Sequence, residues 1–170
     1  PDGVGASSKS ACNVLRQAVD DTVQEFNLPI VREKEWLLDK FSSLSNWQFG
    51  SCSWMEGLHV GGKPPRWLVL KGKQQMAQWH PSTGRFSFTK AILPKLHELG
   101  TLRTVEIEGD GPWKGDIFHG MVKSAPNDLR LGEEVLVIRD EKLLGSARCT
   151  AAGWEWQGGI GRLAKSQHRL

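Results

Sequence analysis

The side chains able to do acid–base, nucleophilic or metal chemistry are scattered through this 170-residue chain. Its histidines, at positions 59, 80, 97, 119 and 168, follow no ligand spacing, and Cys12, Cys52 and Cys149 form no C-x-x-C pair. No structural zinc site is expected from them, only idle thiols in a reducing cytosol. The adjacent acids Asp20-Asp21 and Glu133-Glu134 read as solvated surface rather than as a proton-sharing pair. A phosphate-cradling G-x-x-x-x-G-K-[ST] loop, a G-x-G-x-x-G turn after a strand, a G-x-S-x-G elbow and an H-E-x-x-H helix are all absent from the sequence. No catalytic residue, metal ligand or cofactor is therefore assigned.

Cations and indoles are the remaining chemistry. The formal net charge is only +3, but it is unevenly placed. Between 61 and 103, Lys63, Arg66, Lys71, Lys73, Arg85, Lys90, Lys95 and Arg103 face Glu98 alone. Beyond 148, Arg148, Arg162, Lys165 and Arg169 face only Glu155. The first third is acidic. A concentrated positive field on an otherwise near-neutral protein attracts polyanions. Eight tryptophans with no tyrosine serve core packing, and an indole can also be a stacking platform for a base.

These groups need a scaffold, and the hydrophobic pattern supplies one. Residues 1–10 are small and polar and read as a disordered tail. Val14, Leu15, Ala18, Val19, Val23 and Phe26 predict an amphipathic helix over roughly 11–27, stopped near Pro29. A second helix over about 32–44 turns Trp36, Leu37, Phe41 and Leu44 inward. From Asn46 the pattern breaks, and Gly61, Gly62, Pro64 and Pro65 mark a loop. Strands follow at 67–70, 75–79 and 85–88, then a helix over 90–99 capped by Thr89 and ended by Gly100. After Gly100 the texture is all-β: strands at 104–107, 134–138 and 143–149 and a last one after the GGIG run at 158–161. Short helices are expected near 113–118 and 152–157, with Trp154 and Trp156 in the core.

The composition, 39% hydrophobic and 24% charged, excludes collagen and whole-chain disorder. No apolar run approaches the ~20 residues of a membrane helix, and the start shows no secretory signal. The first residue is Pro rather than Met, which points to a processed protein or a fragment of something longer. The chain is thus read as α+β: a small α+β domain at 11–100, then a β-barrel at 101–170.

The stretch KGDIFHGMVKSAPNDLRLGEEVLVIRDEKLLGSARCTAAGWEWQGGIGRLAKSQHR, from Lys114 to Arg169, resembles the PUA domain, an RNA-binding module of pseudouridine synthases and archaeosine transglycosylases. The resemblance lies in the order of its parts: the G-D-I-F start, Lys123-Ser124 on the next strand, the L-R-L-G-E-E-V turn and strand, the L-L-G-S-A-R strand, and a glycine-rich turn before the closing strand. Upstream, Asn46-Trp-Gln-Phe-Gly50 and His80-Pro-Ser-Thr-Gly-Arg-Phe-Ser-Phe-Thr89 are similar to segments of archaeal tRNA-guanine transglycosylases and archaeosine synthases. Their catalytic barrel has no counterpart in this chain.

The resemblance implies a PUA-type β-barrel that binds tRNA or another structured RNA, working in the cytoplasm with a catalytic subunit or domain of a tRNA-modifying enzyme and with no membrane. A ribosome-assembly or translation factor and a small stand-alone transferase are the alternatives. The implied RNA surface runs from the G-D-I-F start to the final strand. Lys114, Lys123, Arg148, Arg162, Lys165 and Arg169 would contact phosphates there, and Trp113 would be an exposed platform for a free acceptor end. Arg66, Lys71, Lys73 and Arg85 form a second candidate patch.

Overall fold

The computed structural model describes residues 8–26, 33–158 and 160–170. The chain divides into two compact units, Pro1–Trp36 and Leu37–Leu170. In the first, α1 (Ser8–Glu25) begins inside the predicted tail, the rest of which lies outside the described residues, as does the expected stop at Pro29. The helix is supported locally: Gln17 Nε2 donates to Asp21 Oδ1 at 2.9 Å and Thr22 Oγ1 to the Ala18 carbonyl at 2.8 Å. Its apolar stripe has the predicted spacing, but Val14, Leu15 and Val19 are exposed rather than buried.

A second helix, α2 (Glu33–Phe49), runs five residues past its expected end. Gly50, at φ +73°, ends it in the left-handed conformation that glycine adopts without a Cβ clash, and its N–H returns to the Asn46 carbonyl at 2.9 Å. Leu37 and Phe41 are buried as predicted, while Trp36 is 52% exposed. The second unit then lays down a four-stranded antiparallel meander, β1 (His59–Lys63), β2 (Arg66–Lys71), β3 (Gln74–His80) and β4 (Arg85–Phe88), in that spatial order. β1 replaces the loop expected at Gly61 and Gly62. Its sequence, HVGGK, has one apolar side chain to signal a strand, and pairing with β2 creates it. Thr89 does not cap the helix that follows; its hydroxyl lies 3.0 and 3.1 Å from the Gln75 and Met76 carbonyls. A 3-10 turn at Lys90–Ile92 leads instead into α3 (Leu93–Glu98).

A second sheet follows from β5 (Thr104–Ile107), β6 (Ile117–Phe118), β7 (Val122–Ser124), β8 (Glu134–Arg139), β9 (Lys142–Cys149) and β10 (Arg162–Arg169), in the order β6-β10-β9-β8-β5-β7. β5 and β8 are parallel and the other pairs antiparallel. The two edge strands, β6 and β7, are consecutive in the chain, joined only by a 3-10 turn at His119–Met121. The sheet is therefore curled into a half-barrel. The short helix expected over 113–118 is replaced by β6, whose Ile117 pairs with Ala164 of β10. The 3-10 helix at Gly153–Gln157 lies where a short helix is predicted.

The continuous apolar run Val135-Leu136-Val137 has a direct structural cause. Side chains alternate across a strand, and β8 is covered on both sides. Val135 and Val137 join Val105, Ile117 and Leu163 inside the curl. Leu136 points the other way and joins Phe41, Trp54, Phe86 and Leu93, the core of the first sheet. One buried leucine thus ties the two sheets of this unit together. Among the described residues no helix is long and apolar enough to cross a membrane.

Candidate nucleic-acid interface

β10 sits between β6 and β9, and its register decides which cations meet. Lys165 lies opposite Arg148, and Arg148 opposite Glu134 of β8. Directly paired side chains stand on one face with Cβ atoms about 5 Å apart, so the three form a row across three strands. The row is anchored by an acid: Arg148 Nη2 lies 3.6 Å from Glu134 Oε2, and Ser146 Oγ donates to Glu134 Oε1 at 2.9 Å. Beside it, His168 Nε2 donates to the Phe88 carbonyl at 2.7 Å, which places the ring proton on that nitrogen.

Burial pushes the Glu134 carboxyl above its ordinary range, against the opposing pull of Ser146 and Arg148. A carboxyl raised in the folded state adds stability below its unfolded value and loses it as the pH rises through the folded one. Glu134→Gln cannot ionise, so the melting temperature of the wild type should rise relative to Glu134→Gln as the pH falls from 7 toward 5. A constant difference between the two proteins would show that Glu134 titrates normally. Glu134→Ala removes the acceptor from the buried Ser146 hydroxyl and should cost about 1–3 kcal/mol at any pH in this range.

Asp116, just before β6, brings one more of the expected cations, Arg162, to Lys165. Its Oδ1 accepts the Ser166 N–H at 3.0 Å and its Oδ2 the Arg162 guanidinium at 3.2 Å. The Ser166 N–H, then Arg162 and the field of Lys165, hold this carboxyl below its usual value. Arg162, Lys165 and Arg148 are thus brought together on neighbouring strands. Arg169 is on the same strand, opposite Gly145, about 13 Å along it from Lys165. Lys114 lines a separate cleft of about 410 Å³ with Glu108 and Arg139. Lys123 is on the other edge strand, its Nζ 2.8 Å from Glu106 Oε1, and this bond raises its pKa.

The second expected patch divides. Arg66 and Lys63 pair at one end of the first sheet, while Lys71 and Lys73 lie at and beyond the other end of β2. Arg85 shares the Arg66 end, because β3 brings His80 alongside. Trp113 is no platform: it is 6% exposed and packs inside the curled sheet, where Gly145 leaves room for its ring. Trp156 is core as expected, but Trp154 is 74% exposed. Among the described residues no three His, Cys, Asp or Glu side chains gather to hold a metal ion.

Between the sheets lies a cleft of about 520 Å³ that sequence reasoning missed. Its walls are the end of α2, the β3–β4 turn and the loop leading into β8, with Arg103. Gln48 of α2 donates to the Gly84 carbonyl. Arg85 spans to the Leu131 carbonyl, Nη1 to O 2.9 Å, passing over Gly132. A Cβ on Gly132 would meet that nitrogen at 2.2 Å, and the residue has φ +73°, so glycine keeps the passage open. Arg103 is held by Asp128 at 2.7 Å and Glu133 at 3.5 Å. Arg130 has no ion pair among the described residues, and Trp47, on the α2 wall, is 80% exposed. Reading α2 through to Phe49 would have found Trp47, since helical geometry turns it roughly 80–120° away from the Leu37–Phe41 stripe.

No family model matches the sequence, and no curated protein matches it. Solved structures do resemble it. AF0587, a protein of unknown function, is similar with a TM-score of 0.67 and 25% identity over 89% of this chain; the chain spans 53% of that protein, about half its length. PH0734.1, a hypothetical protein from the hyperthermophilic archaeon Pyrococcus horikoshii OT3, gives a TM-score of 0.55 at 14% identity, covering 78% of this chain and 89% of its own. A conserved PUA domain protein from Thermoplasma acidophilum gives 0.54 at 13% identity, covering 81% of this chain and 91% of its own. Helices followed by a curled sheet, in the arrangement of that last protein, give this chain a PUA-like fold.

Proposed function

We propose that this chain binds RNA, that the RNA is tRNA, and that it serves tRNA modification, in the archaeosine pathway, beside a catalytic subunit or domain. Within it, residues 101–170 form the RNA-binding domain and 11–100 a small α+β domain that precedes it. The observation that carries the reading is the PUA-like curled sheet with Arg162, Lys165 and Arg148 gathered on adjacent strands. Arg169, Lys114 and Lys123 extend the contacts to phosphates, and Arg66, Lys71, Lys73 and Arg85 supply a weaker second patch. Phosphate contacts fix register and carry little base information, and helical RNA is recognised mainly by shape, phosphate and 2′-OH.

Binding of several tRNAs at a series of salt concentrations tests this. Lys165→Ala with Arg169→Ala should weaken every tRNA about equally and lower the salt slope by up to roughly two units. Lys9→Ala with Lys34→Ala, in the acidic first third, should leave affinity almost unchanged. Equal losses from both pairs would reduce the site to diffuse electrostatics, and no loss from the first pair would remove it. Tighter binding to ribosomal RNA than to tRNA would move the protein to ribosome assembly.

A further inference from the structure

We propose that the cleft between the two sheets is a pocket for one unpaired ribonucleotide, with the base stacked on Trp47 and the phosphate held by Arg130. This rests on the RNA-binding reading, at a site that adjoins the β9–β10 cations: Glu134, which pairs with Arg148, also lines the cleft.

Three observations converge. First, the volume of about 520 Å³ falls in the range of small-molecule sites, roughly 300–1,000 Å³, and admits one nucleotide but no helix. Second, Trp47 stands in its wall with 80% of its surface in water. An indole left so open beside a polar cleft offers a flat π-face, the feature that binds bases without regard to their edges. Third, the guanidinium groups differ in what they have left to give. Arg103 is engaged by Asp128 and Glu133, and Arg85 by the Leu131 carbonyl. Arg130 is exposed and its side chain has no ion pair among the described residues. Its backbone N–H is bonded to Glu133 Oε2 at 2.9 Å, which fixes the loop from which the side chain extends. A guanidinium with open donors is suited to paired hydrogen bonds with phosphate.

Two carboxylates, Glu133 and Glu134, also line the cleft, the first paired with Arg103 and the second with Arg148 and Ser146. The Gln48–Gly84 bond and the Arg85–Leu131 bond brace the α2 end and the loop against the β3–β4 turn. An exposed indole and an unengaged guanidinium in the wall of one cleft match the two parts of a nucleotide, its base and its phosphate, whereas an apolar peptide would leave the guanidinium unused.

The test uses the full chain with the four ribonucleoside 5′-monophosphates, and inorganic phosphate as a separate arm. The tryptophan indole N–H signals are followed by NMR, and Trp47→Phe identifies the Trp47 resonance by its loss. Nucleotides should move that resonance saturably, and Arg130→Ala should raise the dissociation constant about tenfold. In tRNA binding, Trp47→Ala should lose roughly five- to a hundredfold, the range of one stacked base, while Trp47→Phe keeps most of the affinity. Because Trp47 is exposed, neither change threatens the fold. A Trp47 resonance that ignores nucleotides, or that phosphate alone moves equally, overturns the proposal. If tRNA binds but Trp47→Ala and Arg130→Ala bind it as the wild type does, the cleft fails and the RNA-binding reading stands. If nucleotides move Trp47 but no tRNA binds, the cleft stands and that reading fails.

Discussion

Gly145→Ala is expected to destabilise the protein by upward of about 4 kcal/mol, which for a unit of this size lowers the melting temperature by roughly ten degrees or more. Gly145 lies in β9 opposite Arg169 of β10. A Cβ there would sit 2.0 Å from the His168 carbonyl oxygen, 2.9 Å from its carbon and 3.0 Å from the ring of Trp113. Two of those atoms are backbone of the neighbouring strand, so no rotamer change relieves the clash. At φ +152° the residue is also in a region that side chains disfavour. Either β10 moves away, breaking the ladder, or Trp113 gives way and opens the interior. Gly120→Ala is the control: its added Cβ meets nothing within 4 Å, and the change should stay within about 0.5 kcal/mol. Thermal unfolding followed by circular dichroism compares the two, and equal melting temperatures would show that the strands can part there at no cost.

Trp54→Ala should be comparably damaging, costing about 3–5 kcal/mol for the lost ring and the cavity left behind. Trp54 is fully buried in the first core and meets Phe88 and Phe86 edge-on, with centroids 5.2 and 5.5 Å apart. Its indole N–H donates to Ser45 Oγ at 2.6 Å, and Ser45 Oγ in turn donates to the Ser51 carbonyl at 2.7 Å. Removing the indole therefore also takes a donor from a buried hydroxyl. Trp154→Ala, at an exposed ring, should change the midpoint of a urea titration little. A Trp54→Ala midpoint as high as that of Trp154→Ala would sink the claim that this aromatic cluster organises the first sheet.

The tryptophans also show what a sequence reveals and what it withholds. Residue type alone cannot separate Trp54 and Trp156, which are buried, from Trp47 and Trp154, which are exposed. Periodicity can, but only where the element is correctly bounded. Ending α2 near residue 44 hid Trp47, and reading 113–118 as a helix put Trp113 on the surface. Strands β2, β4 and β8 were legible because β-branched and aromatic residues bounded by turn residues leave a local signal, and β3 and β9 because each follows a tight turn out of such a strand, at Gly72-Lys73 and at Asp140-Glu141. β1 was not, since its Gly-Gly pair carries no pattern and only pairing with β2 makes it a strand. The PUA-like arrangement was legible through the order of turns and glycines. The cleft was beyond reach for another reason: Trp47, Arg85 and Arg130 are far apart in sequence, and no local rule joins them.

The edge-to-edge tie at His119–Met121 also governs when the curled sheet can form. In this sheet only β8 and β9 pair across a tight local turn. β5 must find β8 in parallel across an intervening segment, and β6 must wait for β10, with Ile117 meeting Ala164. Contacts so distant along the chain require long loops to close before they return any stability, which slows folding into the millisecond-to-second range. During synthesis the half-barrel stays open until 162–169 have left the ribosome. Because that segment is inserted between β9 and β6 rather than added at an edge, its arrival completes two ladders at once and makes closure a single late event.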